Sequence, residues 1–266
     1  MKIGIIAVGR DCAENLDEIL YPWIQSFRFH DIHICLISAT FKEMELAGLP
    51  PIPDKATSDK IKSYALKYPA NITSVSFDNY ATEAEVREKG RQILMAGKIN
   101  VDAIWLLDIA DEYYTEKQIS SVIRFIEKNS LIAWFKLSLK NYVFNKTKYL
   151  TNPFQPPRIW YTRYGDKKLS QCNYDNDFIY KNPNGEVFSD KNLPYLIVPA
   201  NVAWIKHLSW LSDERSKKKI EYQLIRWNTC SYKWDHDNNC LTFNEEYYNK
   251  LGLGIPEVAD EINEYN

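Results

Sequence analysis

The chain has 266 residues, with 33 Lys and Arg against 35 Asp and Glu and 45% hydrophobic residues; that balance supplies a full apolar core and excludes a disordered or fibrous chain. A net charge of -2 gives no global field that would gather nucleic acid or an anionic membrane, and no apolar run approaches the roughly 20 residues that span a bilayer. Five cysteines without a C-x-x-C spacing, and an opening segment Met1 to Arg10 that becomes charged too early for a leader, predict a cytoplasmic protein.

Short apolar runs alternate with amphipathic stretches over the first 145 residues, the pattern of an α/β fold in which a mostly parallel central sheet is flanked by helices. Strands are expected at 3–8, 32–38, 72–77, 103–108 and 131–139, each apolar enough to be buried on both faces. Between the first two, Leu16, Ile19, Leu20, Trp23 and Phe27 recur at helical spacing, with Asp11 and Glu14 placed to cap that helix and Pro22 to kink it. Pro50, Pro51 and Pro53 predict a loop before a short helix reaching Lys67. Thr82 with Glu85, and Thr115 with Gln118, are spaced as capping boxes, the second opening a helix whose Ile119, Val122, Ile123 and Ile126 form a core stripe. After Leu150 the texture turns to aromatics, Asn and Pro, which predicts an irregular region with short strands at 195–198 and 202–205. A last helix starts at Ser212-Asp213-Glu214 and runs to Trp227, followed by an aromatic-rich extension over 229–266 that packs on the body.

In an open α/β sheet, ligands sit beyond the carboxyl ends of the strands. The first strand leaves through Val8-Gly9-Arg10-Asp11, which offers backbone N–H groups and a guanidinium suited to nucleotide phosphates. The fourth leaves through Asp108, Asp111 and Glu112, three carboxylates within five residues of a buried run. Such groups repel one another and raise each other's pKa unless a cation joins them, and hard divalent ions suit oxygen ligands; the alternative is a solvated turn before a helix. His207, at the end of a short apolar strand, is the candidate third ligand. Lys217-Lys218-Lys219 reads as a solvated helix face. Glycine is scarce, and neither G-x-G-x-x-G nor a P-loop occurs.

The N-terminal strand with its Arg-containing turn, the acidic motif near residue 110, the segment Phe154 to Arg163 and the late Ile205-Lys206-His207 with Ser212 and Lys219 together resemble family 2 glycosyltransferases of the GT-A fold over residues 2–228. The resemblance implies a GT-A-like domain over 1–228, with a nucleotide-sugar part at 2–112, an acceptor part at 140–228 and the 229–266 extension. It implies transfer of a sugar from a UDP- or GDP-sugar donor to a hydroxyl, usually with inversion and with Mn2+ or Mg2+ as cofactor. In that reading Asp111, Glu112 and His207 hold the metal, Asp108 touches the ribose or a metal-bound water, and Val8, Arg10 and Arg158 support the nucleotide and its pyrophosphate. Asp175 or Asp177 deprotonates the acceptor, for which a glycan or lipid-linked glycan is favoured over protein or modified nucleic acid. The spacing departs from the family, which usually has one residue between its two aspartates, where Ile109 and Ala110 both lie between Asp108 and Asp111. The second strand also ends in Ser38-Ala39-Thr40, where the family commonly has a base-reading aspartate. A non-catalytic carbohydrate-binding scaffold and a sugar nucleotidyltransferase are the competing readings.

Overall fold

A computed structural model describes residues 1–46, 48–143, 148–151, 154–172, 177–210 and 213–260. Strand β1 (Lys2–Gly9) is followed by helix α1 (Leu16–Ser26), β2 (Asp31–Ser38), α2 (Lys55–Lys67), β3 (Ile72–Ser76), α3 (Glu83–Met95) and β4 (Ala103–Asp108). The four strands lie parallel in the order β3-β2-β1-β4, so the chain reverses its direction of growth between β1 and β4. Then come β5 (Glu112–Tyr113), α4 (Glu116–Lys128), β6 (Trp134–Val143), β7 (Lys148–Leu150) and β8 (Pro157–Tyr161). β8 lies antiparallel between β4 and β6 and extends the same sheet.

Alternation along the strands divides the core between two faces. Ile3, Ile5, Trp105, Leu107 and Phe135 pack on one face with Trp23 of α1, Ile61 of α2 and the Ile119 to Ile126 stripe of α4. Ile6, Ile104, Leu106, Trp134 and Trp160 pack on the other with Val86 and Leu94 of α3. Both threonine capping boxes form as the spacing predicts, at Thr82 with Glu85 and Thr115 with Gln118. Asp11 does not cap α1. Its backbone is left-handed at φ 48°, and Thr57 Oγ1 of α2 instead accepts from the N–H groups of Cys12 and Ala13 at 2.8 and 3.1 Å. α1 continues through Pro22.

The region expected to be irregular is built from strands. β9 (Arg163–Tyr164), β10 (Lys167–Cys172), β11 (Phe178–Lys181) and β12 (Val187–Ser189) make an antiparallel sheet on the α3 face. β13 (Tyr195–Val198) and β14 (Trp204–Trp210) then run parallel to β6 along the edge opposite β8. Helix α5 (Asp213–Trp227), the hairpin β15 (Tyr232–Asp235) and β16 (Cys240–Phe243), helix α6 (Glu245–Lys250) and β17 (Val258–Asp260) complete the chain, β17 pairing with β7. The fifth predicted strand starts later than expected because the chain turns after Asn129, leaving Leu131 83% exposed, and it runs on to Val143. Among the described residues no helix is long and apolar enough to cross a membrane.

Asp190 ties the small sheet to the large one. Its carboxylate is buried and accepts from Trp160 Nε1 at 2.8 Å and Phe178 N–H at 3.0 Å, while its carbonyl accepts from Trp134 Nε1 at 2.7 Å. Burial pushes its pKa up. Asp190→Ala strands two buried donors and is expected to cost about 2–4 kcal/mol in a denaturant titration, whereas Asp190→Asn, which keeps an accepting oxygen, should stay close to wild type. Equal losses in both variants would refute the hydrogen-bond account.

Candidate active site

The reversal between β1 and β4 puts Val8 directly beside Asp108 in the parallel register, at the place where open α/β sheets bind ligands. Val8 O accepts from Ile109 N–H at 3.0 Å, so the two chains remain joined past the end of β4. Gly9 is needed at this junction: a Cβ there would lie 2.5 Å from Ile109 Cγ1 and 2.8 Å from Cys12 Sγ. The acidic exit is a tight turn. Asp108 Oδ1 accepts from Ala110 N–H at 2.9 Å, Asp108 O from Asp111 N–H at 3.3 Å, and Glu112 Oε2 from Asp108 N–H at 3.2 Å.

The three carboxylates of this exit have different surroundings. Glu112, 1% exposed, forms an ion pair with Arg158 of β8, whose Nη2 and Nε donate to Oε1 at 2.5 and 3.1 Å. Burial opposes the Arg158 charge, and Glu112 more than offsets it, so the guanidinium is held more firmly protonated than usual. Asp111 is buried, with Lys219 Nζ of α5 3.8 Å from its Oδ2. Asp108 reaches solvent, but the surrounding protein, then Asp111 and Glu112, push its pKa from 3.8 up to about 7.

A folded-state pKa above the unfolded one means that ionising Asp108 opposes folding, an effect absent below pH 4 and growing to pH 7. Asp108→Asn is therefore expected to raise the melting temperature at pH 8 and leave it unchanged at pH 4. Discounted for solvent screening, the gain is of order 1 kcal/mol, or about 2–4 °C; the same change at both pH values would contradict it.

His207 lies inside β14 and not beyond a strand end as expected, because the strand continues through it to Trp210. It stands opposite Glu112 in the antiparallel β14–β5 pairing, Leu208 N–H donates to Asp111 O at 3.0 Å, and His207 Nδ1 is 2.7 Å from Asn141 Oδ1 of β6. The structure thus brings Asp108, Asp111, Glu112, Arg158 and His207 to one corner of the sheet. Among the described residues, though, no three His, Cys, Asp or Glu side chains form a metal-holding group, and Glu112 already has its cation in Arg158. A divalent ion fits the remaining pair, Asp108 with Asp111, because one or two carboxylates completed by substrate phosphates are an ordinary shell for such an ion.

Arg10 is turned elsewhere. Its guanidinium donates to Thr40 Oγ1, to Pro50 O at 2.8 Å and to Asp11 Oδ2 at 2.9 Å, which pins the loop before α2. Asp177 pairs with Lys191 at 2.8 Å beside β11, and Asp175 lies outside the described residues. Lys219, which the resemblance includes in its late pattern without a role and the charge run reads as a solvated face, is half-buried, with its Nζ 3.8 Å from Asp111 Oδ2. Sequence reasoning missed Asn141. The cavity lined by Met1, Asp102, Glu127 and Arg163 opens at the opposite end of β1 and β4.

No protein-family model matches the sequence, and a search of curated proteins finds no match. Among solved structures, a crystal structure of S. aureus TarS 1-349 aligns with TM-score 0.43 and 11% identity, covering 85% of this chain and 64% of that one. A second S. aureus TarS crystal structure aligns at 0.41 and 12%, covering 85% and 39%. The structure of CMP:2-keto-3-deoxy-manno-octonic acid synthetase complexed with CTP aligns at 0.36 and 7%, covering 60% and 74%. The chain spans less than two thirds of either TarS structure. None of these likenesses bears on substrate or reaction.

Proposed function

We propose that this chain is a glycosyltransferase of the family 2, GT-A kind, moving a sugar from a UDP- or GDP-sugar to a hydroxyl acceptor with inversion. The observation that supports the reading is the acidic exit of β4 beside β1, where Asp108 and Asp111 meet the point at which the sheet reverses. There Asp108 and Asp111 would hold Mn2+ or Mg2+, which when bound offsets the charge that develops on a leaving diphosphate. Lys219 adds positive charge beside the acidic turn, while that of Arg158 is matched by Glu112. The acceptor oxygen bonds to the anomeric carbon as the bond from that carbon to the β-phosphate oxygen breaks. The hydroxyl proton passes to a carboxylate, Asp177 or Asp175 in this proposal, and the nucleoside diphosphate leaves with the bonding pair. A glycan or lipid-linked glycan is the acceptor in this reading.

The commitment of Glu112 to Arg158 favours one competing reading, a carbohydrate-binding scaffold that keeps the fold without the chemistry. Calorimetric titration with UDP and GDP, each with and without Mn2+, separates the two. Metal-dependent binding of one nucleotide is expected of the transferase, and binding of neither with or without metal would leave the scaffold.

A further inference from the structure

Beyond the acidic corner, one surface of the sheet carries a charge and ring pattern that the proposed chemistry does not use. Along β6, alternate residues Trp134, Lys136, Ser138, Lys140 and Tyr142 share a face. β13 adds Tyr195 opposite Trp134, and β14 adds Trp204 opposite Ser138 and Lys206 opposite Lys140. Each lysine lies across aromatic rings. Lys136 Nζ is 4.8 Å from the Tyr195 ring centre, Lys140 Nζ is 4.1 Å from Trp204 and 4.4 Å from Tyr149, and Lys206 Nζ is 4.3 Å from Tyr142. Rings hold the ammonium groups in place without neutralising them, and among the described residues neither Lys136 nor Lys140 forms an ion pair with an acid. Tyr195 is 46% exposed and Ile197 beside it 41%.

This face adjoins the acidic corner. Asp108 continues the Ile104 and Leu106 row of β4, and Lys136 and Lys140 continue the Trp134 row of β6, so all emerge on the α3 side of the sheet. We propose that this lysine and aromatic face binds an acidic oligosaccharide, a chain of sugar rings carrying carboxylate or phosphate groups, as the acceptor for the transfer proposed above, on which this assignment of role rests. Sugar rings pack their C–H faces on the exposed Tyr195 ring while the lysines meet the anionic substituents. Three lysines are fewer than the four to eight basic residues typical of a membrane-surface cluster. A net charge of -2 also lacks the domain-wide basic field of a nucleic-acid binder.

The test titrates the full chain with five probes, an oligogalacturonate, a phosphorylated mannose oligosaccharide, neutral maltohexaose, a duplex RNA and phosphatidylserine vesicles, following tryptophan fluorescence at low and at physiological salt. One or both acidic probes should bind, more weakly as salt rises, and whichever binds identifies the anion. The Lys136→Gln, Lys140→Gln double variant should weaken that binding about tenfold, as expected for two screened ionic contacts, with its UDP or GDP binding unchanged and its melting temperature lower by only a few degrees for the lost ring contacts. Tyr195→Ala, which removes the half-exposed ring stacked 4.6 Å from Trp134, should weaken it severalfold while the chain still folds. Tightest binding of maltohexaose, of a duplex RNA or of phosphatidylserine vesicles would overturn the proposal, and so would acidic-probe affinity that neither variant changes. Acidic probes that bind while neither nucleotide does would keep the glycan face and remove the transferase role.

Discussion

Replacing Glu112 by glutamine is expected to cost the fold about 3–5 kcal/mol, the loss typical when one partner of a buried ion pair is removed. Arg158 has little access to water, with 12% of its side chain exposed, and two of its nitrogens converge on a single Glu112 oxygen. Glutamine can still accept one of these hydrogen bonds, but it leaves a buried guanidinium without a counter-charge. Glu112 Oε2 also holds the Asp108 N–H, so the turn that orients the acidic exit loosens at the same time. At roughly 2–4 °C per kcal/mol for a chain of this size, the melting temperature should fall by about 10 °C or more.

The matching test removes both charges. Glu112→Leu combined with Arg158→Met leaves no uncompensated ion, and buried ion pairs replaced by apolar groups of similar size are often neutral in stability. The double variant should therefore recover most of what Glu112→Gln loses, and a double-mutant cycle should give a large coupling between the two positions. A Glu112→Gln protein within 1 kcal/mol of wild type would mean that water reaches Arg158 and that the pair does not hold the corner together.

Local signals carried much of this architecture. The apolar run 103–108 ends as a strand at Asp108 because a carboxylate cannot continue into a layer buried on both faces. Thr82 and Thr115 mark helix starts because both partners of each capping box lie within one turn. Asp11 looked like a third such start. The helix starts only at Leu16, and Thr57, more than forty residues away, accepts from Cys12 and Ala13 N–H just after Asp11, a competitor that no short window of sequence contains. The same distance effect hid the pairings within the site. Arg158 meets Glu112 only because β8 inserts between β4 and β6, and Lys219 meets Asp111 only because α5 folds back past β14. The lysines of β6 sit in an alternating row, but apart from Trp134 beside Lys136 their ring partners come from β7, β13 and β14, so most of the aromatic setting of that row exists only once the strands have paired.

Asp111→Asn is the substitution expected to remove turnover while sparing the fold. The side chain keeps its size, and the backbone bonds that hold the turn, Asp111 N–H to Asp108 O and Leu208 N–H to Asp111 O, do not depend on the carboxylate. The nearest described cation, Lys219 Nζ at 3.8 Å, is only 25% exposed and gains freedom when the charge opposite it disappears, so the stability change should stay near 1 kcal/mol. For transfer or donor hydrolysis the loss is of another order. The variant lacks one of two carboxylates proposed to hold the divalent ion, and removing a single well-placed electrostatic group commonly lowers turnover by about a hundredfold or more. Activity should be measured with UDP- and GDP-sugars across a Mn2+ series, alongside thermal unfolding of the same preparation. A hundredfold loss with the melting temperature within a few degrees places Asp111 in the chemistry. Full turnover at low Mn2+ would remove it and leave Asp108 to carry the site, and a collapse in stability would show that the carboxylate serves the fold through Lys219.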